Sequence, residues 1–208
     1  MLSIIACISK ANRAIGYQNR LLYHIKSDMT RFRELTTGHV IIMGRKTYES
    51  LPNGALPNRC NIVVSKSRKE LPNCEVYASL EEALTAVTNK TGRDKAETDK
   101  TGRDKAETDK AETDKAGRDK AERDKAGRDK ATDNTIIDKE YFIIGGESIY
   151  SQALPLADKL YLTLVDQEPS HADTFFPAIN LEEWEVAEKE MRNENDLSFT
   201  FLTLYRKQ

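Results

Sequence analysis

His39-Val40-Ile41-Ile42-Met43-Gly44-Arg45-Lys46-Thr47 is the stretch that decides the architecture of this chain. Residues 39–43 read as a short buried strand, and Gly44-Arg45-Lys46-Thr47 turns it into a helix. The pattern recurs. Tyr141-Phe142-Ile143-Ile144 is a second buried strand that ends at Gly145-Gly146, with a helix expected through about Ala153. Strands alternating with helices argue for an α/β sheet.

Outward from these two junctions the alternation holds. Residues 2–9 are strand-like, 10–24 read as a long irregular loop containing Ile15-Gly16 and Asn19, and 25–36 as a helix. Residues 60–65 are another buried strand. Ser79-Leu80-Glu81-Glu82 is a capping box that opens a short helix to about Val87. Residues 159–165 and 199–205 alternate as strands, the last expected in an antiparallel edge pair. The expectation is a single α/β domain: a central, mostly parallel twisted sheet, an antiparallel C-terminal strand and flanking helices.

One residue breaks the helical pattern of 25–36. At 100° per residue, Ile25, Met29, Phe32 and Leu35 share a narrow apolar stripe, and Asp28 lies inside it. A buried carboxylate costs several kcal/mol unless a cation or hydrogen-bond donor meets it. No Lys or Arg is expected on that face. Asp28 is therefore a first-turn acid facing the helix dipole, or it meets another buried group or a ligand beside the helix.

Composition narrows the function classes. The 208 residues carry a net charge of -2, which points to neither nucleic acid nor an anionic membrane as an obligatory partner. Residues 1–9 lack the basic start of a signal peptide and are too short to span a bilayer. Cys7, Cys60 and Cys74 have no metal-type spacing and read as reduced thiols of a cytosolic protein.

Residues 91–130 stand apart. They are eight pentads of the TGRDK and AETDK type, with 13 Lys and Arg against 12 Asp and Glu and Ala as the only apolar type. A five-residue period makes the alanines spiral, so no face can be buried. Glycines at 92, 102, 117 and 127 interrupt any helix. The expectation is a solvated, mostly disordered or fraying helical loop. It lengthens a loop of about 12 residues to about 52, which costs only about 1.3 kcal/mol in closure entropy. A tolerated tandem expansion and a charged interaction arm are the two readings.

The two strand–turn–helix junctions carry chemistry. Ligands of parallel sheets bind beyond the carboxyl ends of the strands, where helix N-termini attract phosphate. Neither junction is a Walker loop or a G-x-G-x-x-G motif. With Arg45 and Lys46 at one of them, they suggest a polyanionic dinucleotide lying across the sheet edge. Ser65-Lys66, ending a further strand, could serve an extra phosphate.

In this order, these elements resemble dihydrofolate reductase. The resemblance rests on Ile15-Gly16 with Asn19, on Asp28 with Phe32, and on residues 40–50, where Met43-Gly44-Arg45-x-Thr47-x-Glu49-Ser50 is highly specific. It also rests on Leu56-Pro57-Asn58-Arg59, residues 61–65, Ile143-Ile144-Gly145-Gly146 with Tyr150, Leu160 to Thr163, and Asp173-Thr174 before Phe176-Pro177. It covers the chain except about 89–138.

The resemblance implies hydride transfer from NADPH to C6 of 7,8-dihydrofolate, with a proton added at N5. It gives Asp28 a partner, the pterin 2-amino group and N3, with Thr163 as the hydroxyl that supports the carboxylate. Ile5, Phe32 and Leu51 would line the substrate, and Arg59 would bind the α-carboxylate of its glutamate tail. Backbone groups of Cys7 and Ile15, beside Gly16, would meet the nicotinamide carboxamide. Gly44, Arg45, Lys46 and Thr47 would meet the phosphates, and Ser65 and Lys66 the 2′-phosphate and adenine. Ile144, Gly145, Gly146, Glu147, Ser148, Ile149 and Tyr150 would wrap the pyrophosphate, with a cis peptide at Gly145–Gly146. The N5 proton is expected from water beside Asp28, with residues 10–24 acting as a lid.

The chain departs from the family pattern at Leu22-Tyr23, where Pro-Trp is usual. Tyr23 is expected to cover the pterin and donate a hydrogen bond, taking a catalytic role with Asp28 and Thr163. The repeat is the larger departure. Two alternatives remain in view: a same-fold reductase of a pyrimidine intermediate in riboflavin synthesis, and a binding protein whose charged repeat is the working part. The set Asp28, Phe32, Arg59 and Thr163 favours folate. A cytoplasmic monomer is expected.

Overall fold

The computed structural model describes residues 1–89 and 140–207. In chain order the strands are β1 (Leu2–Ser9), β2 (Ala14–Tyr17), β3 (Arg20–Leu21), β4 (Val40–Gly44), β5 (Cys60–Val64), β6 (Glu75–Tyr77), β7 (Tyr141–Gly145), β8 (Lys159–Val165), β9 (Thr174–Phe175), β10 (Trp184–Glu194) and β11 (Leu197–Arg206). The helices are α1 (Lys26–Thr36), α2 (Arg45–Ser50), α3 (helical over 80–89) and α4 (Glu147–Ala153). The chain divides into two units, Met1–Ala86 with Asp138–Gln208, and Val87–Ile137. The repeat, and the conformation expected of it, lie outside the described residues.

The main sheet has eight strands in the order β10-β11-β8-β1-β7-β4-β5-β6. From β8 to β6 every neighbouring pair is parallel, whereas β11 pairs antiparallel with β8 and β10. This is the expected mixed α/β sheet. Its central strands are apolar on both faces because helices cover both. Ile5, Ile41, Met43, Val63, Phe142 and Tyr161 form one buried cluster, and Phe32 and Leu35 of α1 pack against it. That packing fixes the helix that carries Asp28.

Three elements differ from the sequence reading. Residues 10–24 are not irregular: β2 and β3 form a hairpin, joined by β9 into a small sheet of order β3-β2-β9. Its turn uses Gln18 and Asn19 at φ 49° and 60°, a primed-type turn built without glycine, so the usual signal is missing. β6 is only three residues long and partly buried. β10 is exposed along nearly its whole length, and its charges read as no strand. On a sheet edge such charges block pairing with another chain. Ser79 caps α3 as expected, its Oγ accepting from the Glu82 N–H at 3.1 Å, while Glu82 reaches one residue past the cap and accepts from the Ala78 N–H at 3.1 Å.

Candidate active site

A cleft of about 1140 Å³ runs along the carboxyl ends of five adjacent parallel strands. Its wall follows their order: Cys7 from β1, Gly145 and Gly146 at the end of β7, Gly44 to Thr47 at the end of β4, Val64 to Ser67 at the end of β5, Ala78 and Ser79 after β6. Four inter-strand intervals of about 4.8 Å make the path about 19 Å long, suited to an extended dinucleotide. Every residue expected at a cofactor lines it, including Ile15, Gly16, Ser65, Lys66, Ile144, Glu147, Ser148, Ile149 and Tyr150. Arg45, Lys46 and Lys66, interspersed with hydroxyls, form a donor set that fits a polyanion.

Close approach governs the glycines. Gly145 has φ +132°, and a Cβ there would meet Thr47 Oγ1 at 3.3 Å. A Cβ on Gly146 would meet the same oxygen at 3.3 Å. The peptide between them is cis. Arg45 is already engaged, its Nη1 lying 2.7 Å and 2.8 Å from the two oxygens of Glu49.

At the β1 end, the cleft reaches a carboxylate. Cys7 is the Cα partner of Thr163 in the β1–β8 pairing, and Thr163 Oγ1 donates to Asp28 Oδ1 at 2.5 Å. Burial raises the pKa of Asp28, while the Thr163 hydrogen bond and the charge of Arg31 lower it and Glu194 raises it further. Arg31 corrects the sequence reading that no cation serves that face. It lies over Phe201 at 4.7 Å and Tyr161 at 5.4 Å, one turn beyond Asp28. Met29 also departs from the apolar stripe, being 47% exposed. Burial likewise raises the pKa of the Cys7 thiol and of the Tyr150 hydroxyl, which donates to the Ile5 carbonyl at 2.9 Å.

The expected substrate wall is contiguous. Phe32 and Leu51 pack against the cluster that contains Ile5. Arg59 is held beside them: Nη1 donates to Thr36 Oγ1 at 2.9 Å, Nε donates to the Pro57 carbonyl at 3.0 Å, and the guanidinium lies 5.9 Å from the Phe32 ring.

Comparison with known proteins gives the family of the chain. A family model described as dihydrofolate reductase matches residues 1–96 and 108–206. The chain belongs to the dihydrofolate reductase family. The dihydrofolate reductase of Haemophilus influenzae is 32% identical over 199 residues, spanning 94% of this chain and 93% of that protein. That of Bacillus subtilis is 29% identical over 202 residues, spanning 95% and 90%. Dihydrofolate reductases are oxidoreductases that reduce dihydrofolate to tetrahydrofolate.

Tyr23, where this dihydrofolate reductase family member departs from the usual Pro-Trp, is held by backbone. Its hydroxyl donates to the Gln167 carbonyl at 2.5 Å, and Ser9 Oγ donates to the same oxygen at 3.4 Å. The ring packs with Ile25, Val165, Phe199 and Phe201. That hydrogen bond ties the Tyr23 hydroxyl to the backbone after β8. His24 is exposed.

Sequence reasoning missed what fastens the β2–β3 hairpin. The Asp173 carboxylate accepts from the Gln18 N–H at 2.9 Å and from Thr174 Oγ1 at 2.8 Å, and its own N–H donates to the Gly16 carbonyl at 3.1 Å. The Gln18 N–H foremost, then Thr174, hold its carboxyl below the ordinary range. The cleft also takes in Arg20, Ser67, Ser79 and Gln152. Asp173-Thr174 was legible as a motif, but nothing local marked it as the partner of residues 16–18.

Proposed function

We propose that this chain reduces 7,8-dihydrofolate to 5,6,7,8-tetrahydrofolate with NADPH, the dinucleotide lying along the cleft and the pterin against Asp28. The observation that carries the reading is the position of the Thr163–Asp28 pair, one strand pairing away from Cys7 at the end of the cleft. NADPH supplies the hydride for C6. The chain's residues do the rest. Asp28 accepts from the pterin 2-amino group and N3 in a fork, and Thr163 fixes the carboxylate. Ile5, Phe32 and Leu51 pack against the ring system, and Arg59 takes the α-carboxylate of the glutamate tail. The N5 proton comes from water beside Asp28, whose charge sets the local field.

On the cofactor side, backbone groups of Cys7 and Ile15 hold the carboxamide. Gly44 to Thr47 and Gly146 to Ile149 cradle the pyrophosphate. Ser65 and Lys66 meet the 2′-phosphate and so favour NADPH over NADH. The β2–β3 hairpin, fastened by Asp173, excludes bulk water from the nicotinamide.

The reading extends to organisation. Residues 1–208 form one catalytic domain with the pentad repeat as an insertion, acting as a cytoplasmic monomer without nucleic-acid or membrane partners. Among the described residues no helix is long and apolar enough to cross a membrane. The test is spectrophotometric. NADPH absorbance should fall when dihydrofolate is added, and Asp28→Asn should abolish the fall. A wild-type protein inert to dihydrofolate, or an Asp28→Asn variant of full rate, would refute the reading.

A further inference from the structure

Helix α1 begins without a local cap. Ile25 occupies the N-cap position and offers no side-chain acceptor, so the first N–H groups of the helix need one from elsewhere. Glu194 supplies it from the far end of β10. Its Oε1 accepts from the Lys26 N–H at 2.6 Å and its Oε2 from the Ser27 N–H at 3.0 Å. Both oxygens are used, as a fork, on the two residues that immediately precede Asp28. The β10–β11 hairpin fixes the end of β10 that carries this acceptor, because Asn195 and Asp196 turn it tightly at φ 49° and 62°. A carboxylate at this helix end also complements the helix dipole.

We propose that Glu194 is a positioning residue for the reaction: by clamping the first turn of α1 from β10, it sets where the Asp28 carboxylate meets the pterin. The inference rests on the reading that Asp28 receives the pterin. Glu194 acts on geometry through the two N–H groups. It acts on charge as well, being one of the groups that face Asp28 from each element around it: Cys7 from β1, Tyr150 from α4, Thr163 from β8, Arg31 from α1 itself and Glu194 from β10. Glu194 and Arg31 are opposed in sign and line one shallow cleft with Lys26, Glu190 and Arg192. Removing Glu194 therefore takes away one of the charges that oppose the influence of Arg31 on Asp28.

The experiment compares Glu194→Ala and Glu194→Gln with the wild-type full chain. KM and kcat are measured for dihydrofolate and for NADPH, with kcat/KM for dihydrofolate followed against pH. Losing a helix clamp should raise the dihydrofolate KM of Glu194→Ala about three- to tenfold and leave the NADPH KM unchanged. Glu194→Gln keeps an oxygen for one N–H and should recover most of the KM. Both variants lack the charge, so both should move the Asp28 midpoint of the pH profile to lower pH. A purely structural residue would change both KM values together, would give no recovery with glutamine and would leave the midpoint in place; any of these results overturns the inference. If Glu194→Ala does not fold, the midpoint of Glu194→Gln alone decides. Asp28→Asn is the control. If it keeps activity, the reading of Asp28 fails and takes the inference with it. If it is inactive while the Glu194 variants behave as wild type, only the inference fails.

Discussion

Thr163 Oγ1 and Asp28 Oδ1 lie 2.5 Å apart and join β8 to α1 across 135 residues of sequence. Thr163 is 1% exposed, so water cannot replace this hydroxyl without a cavity. Hydrogen bonds to charged groups contribute about 1.5–3 kcal/mol. Thr163→Val, close in shape, should therefore lower kcat/KM for dihydrofolate about 10- to 100-fold. The Thr163 bond lowers the pKa of Asp28, so its loss should also move the Asp28 midpoint of the pH profile upward. Unchanged steady-state kinetics in Thr163→Val would show that the carboxylate does not need this support.

Asp28 should cost the ligand-free protein stability. Burial is the largest influence on its carboxyl and raises the folded-state pKa above the unfolded value. Below the unfolded pKa both states hold the proton and the full stability is present. As pH rises the unfolded chain loses its proton first, and stability declines until pH passes the folded pKa. Asp28→Asn carries no such penalty. It should melt higher than wild type at neutral pH, by about 2–4 °C for each kcal/mol recovered, with the gap closing in acid. Equal melting temperatures at pH 7 would contradict the burial argument.

The contrast between Asp28 and Glu194 shows what the sequence could and could not reveal. Asp28 was legible because a carboxylate on an apolar helical stripe is locally anomalous. The cleft was legible in part because β4, β5 and β7 run into glycines or cations at their carboxyl ends, and strand order then aligns them. Glu194 was not, since a glutamate in a run of charged residues carries no local mark, and its partners lie 168 and 167 residues away. Arg31 was missed for a related reason. The 100° rule gives a direction from the axis, but a long guanidinium stem bends back over Phe201 and Tyr161. β10 failed because edge strands need no buried face, and β2–β3 because Gln18-Asn19 lacks a turn glycine.

Arg59 should not tolerate lysine. Two of its nitrogens are tied to Pro57 and Thr36, which fixes the plane of the guanidinium. A lysine ammonium can neither keep both tethers nor take a carboxylate in bidentate fashion. Arg59→Lys should raise the dihydrofolate KM about tenfold or more and leave the NADPH KM alone. A proportional rise in both would place Arg59 in general stability instead.

Glu49 should compete with the cofactor for Arg45. The pair is short but half-exposed, with side-chain exposures of 35% and 40%, so it is worth little on its own. Glu49→Gln frees the guanidinium and should lower the NADPH KM about twofold at low ionic strength. The gain should vanish in high salt, where exposed charges are screened. Arg45→Gln should raise the NADPH KM under both conditions. A Glu49→Gln variant with weaker NADPH binding would mean that Glu49 orients Arg45 rather than withholding it.

Deleting residues 91–130 should leave turnover intact. The connection that contains this segment leads into β7 at Tyr141, the amino end of that strand, where the Ser3 hydroxyl donates to the Glu140 carboxylate. The cleft lies at the other end of the same strand, at Gly145 and Gly146. Shortening the connection from about 52 to about 12 residues returns about 1.3 kcal/mol of closure entropy. The deletion variant should therefore melt a few degrees higher, about 2–4 °C per kcal/mol, with kcat within about twofold of the full chain. Both quantities are read from one purified pair by thermal unfolding and NADPH oxidation. A kcat loss beyond about tenfold in a deletion variant that melts no lower than the full chain would mean that the repeat acts on the site itself, and the charged-arm reading would then replace that of a tolerated expansion.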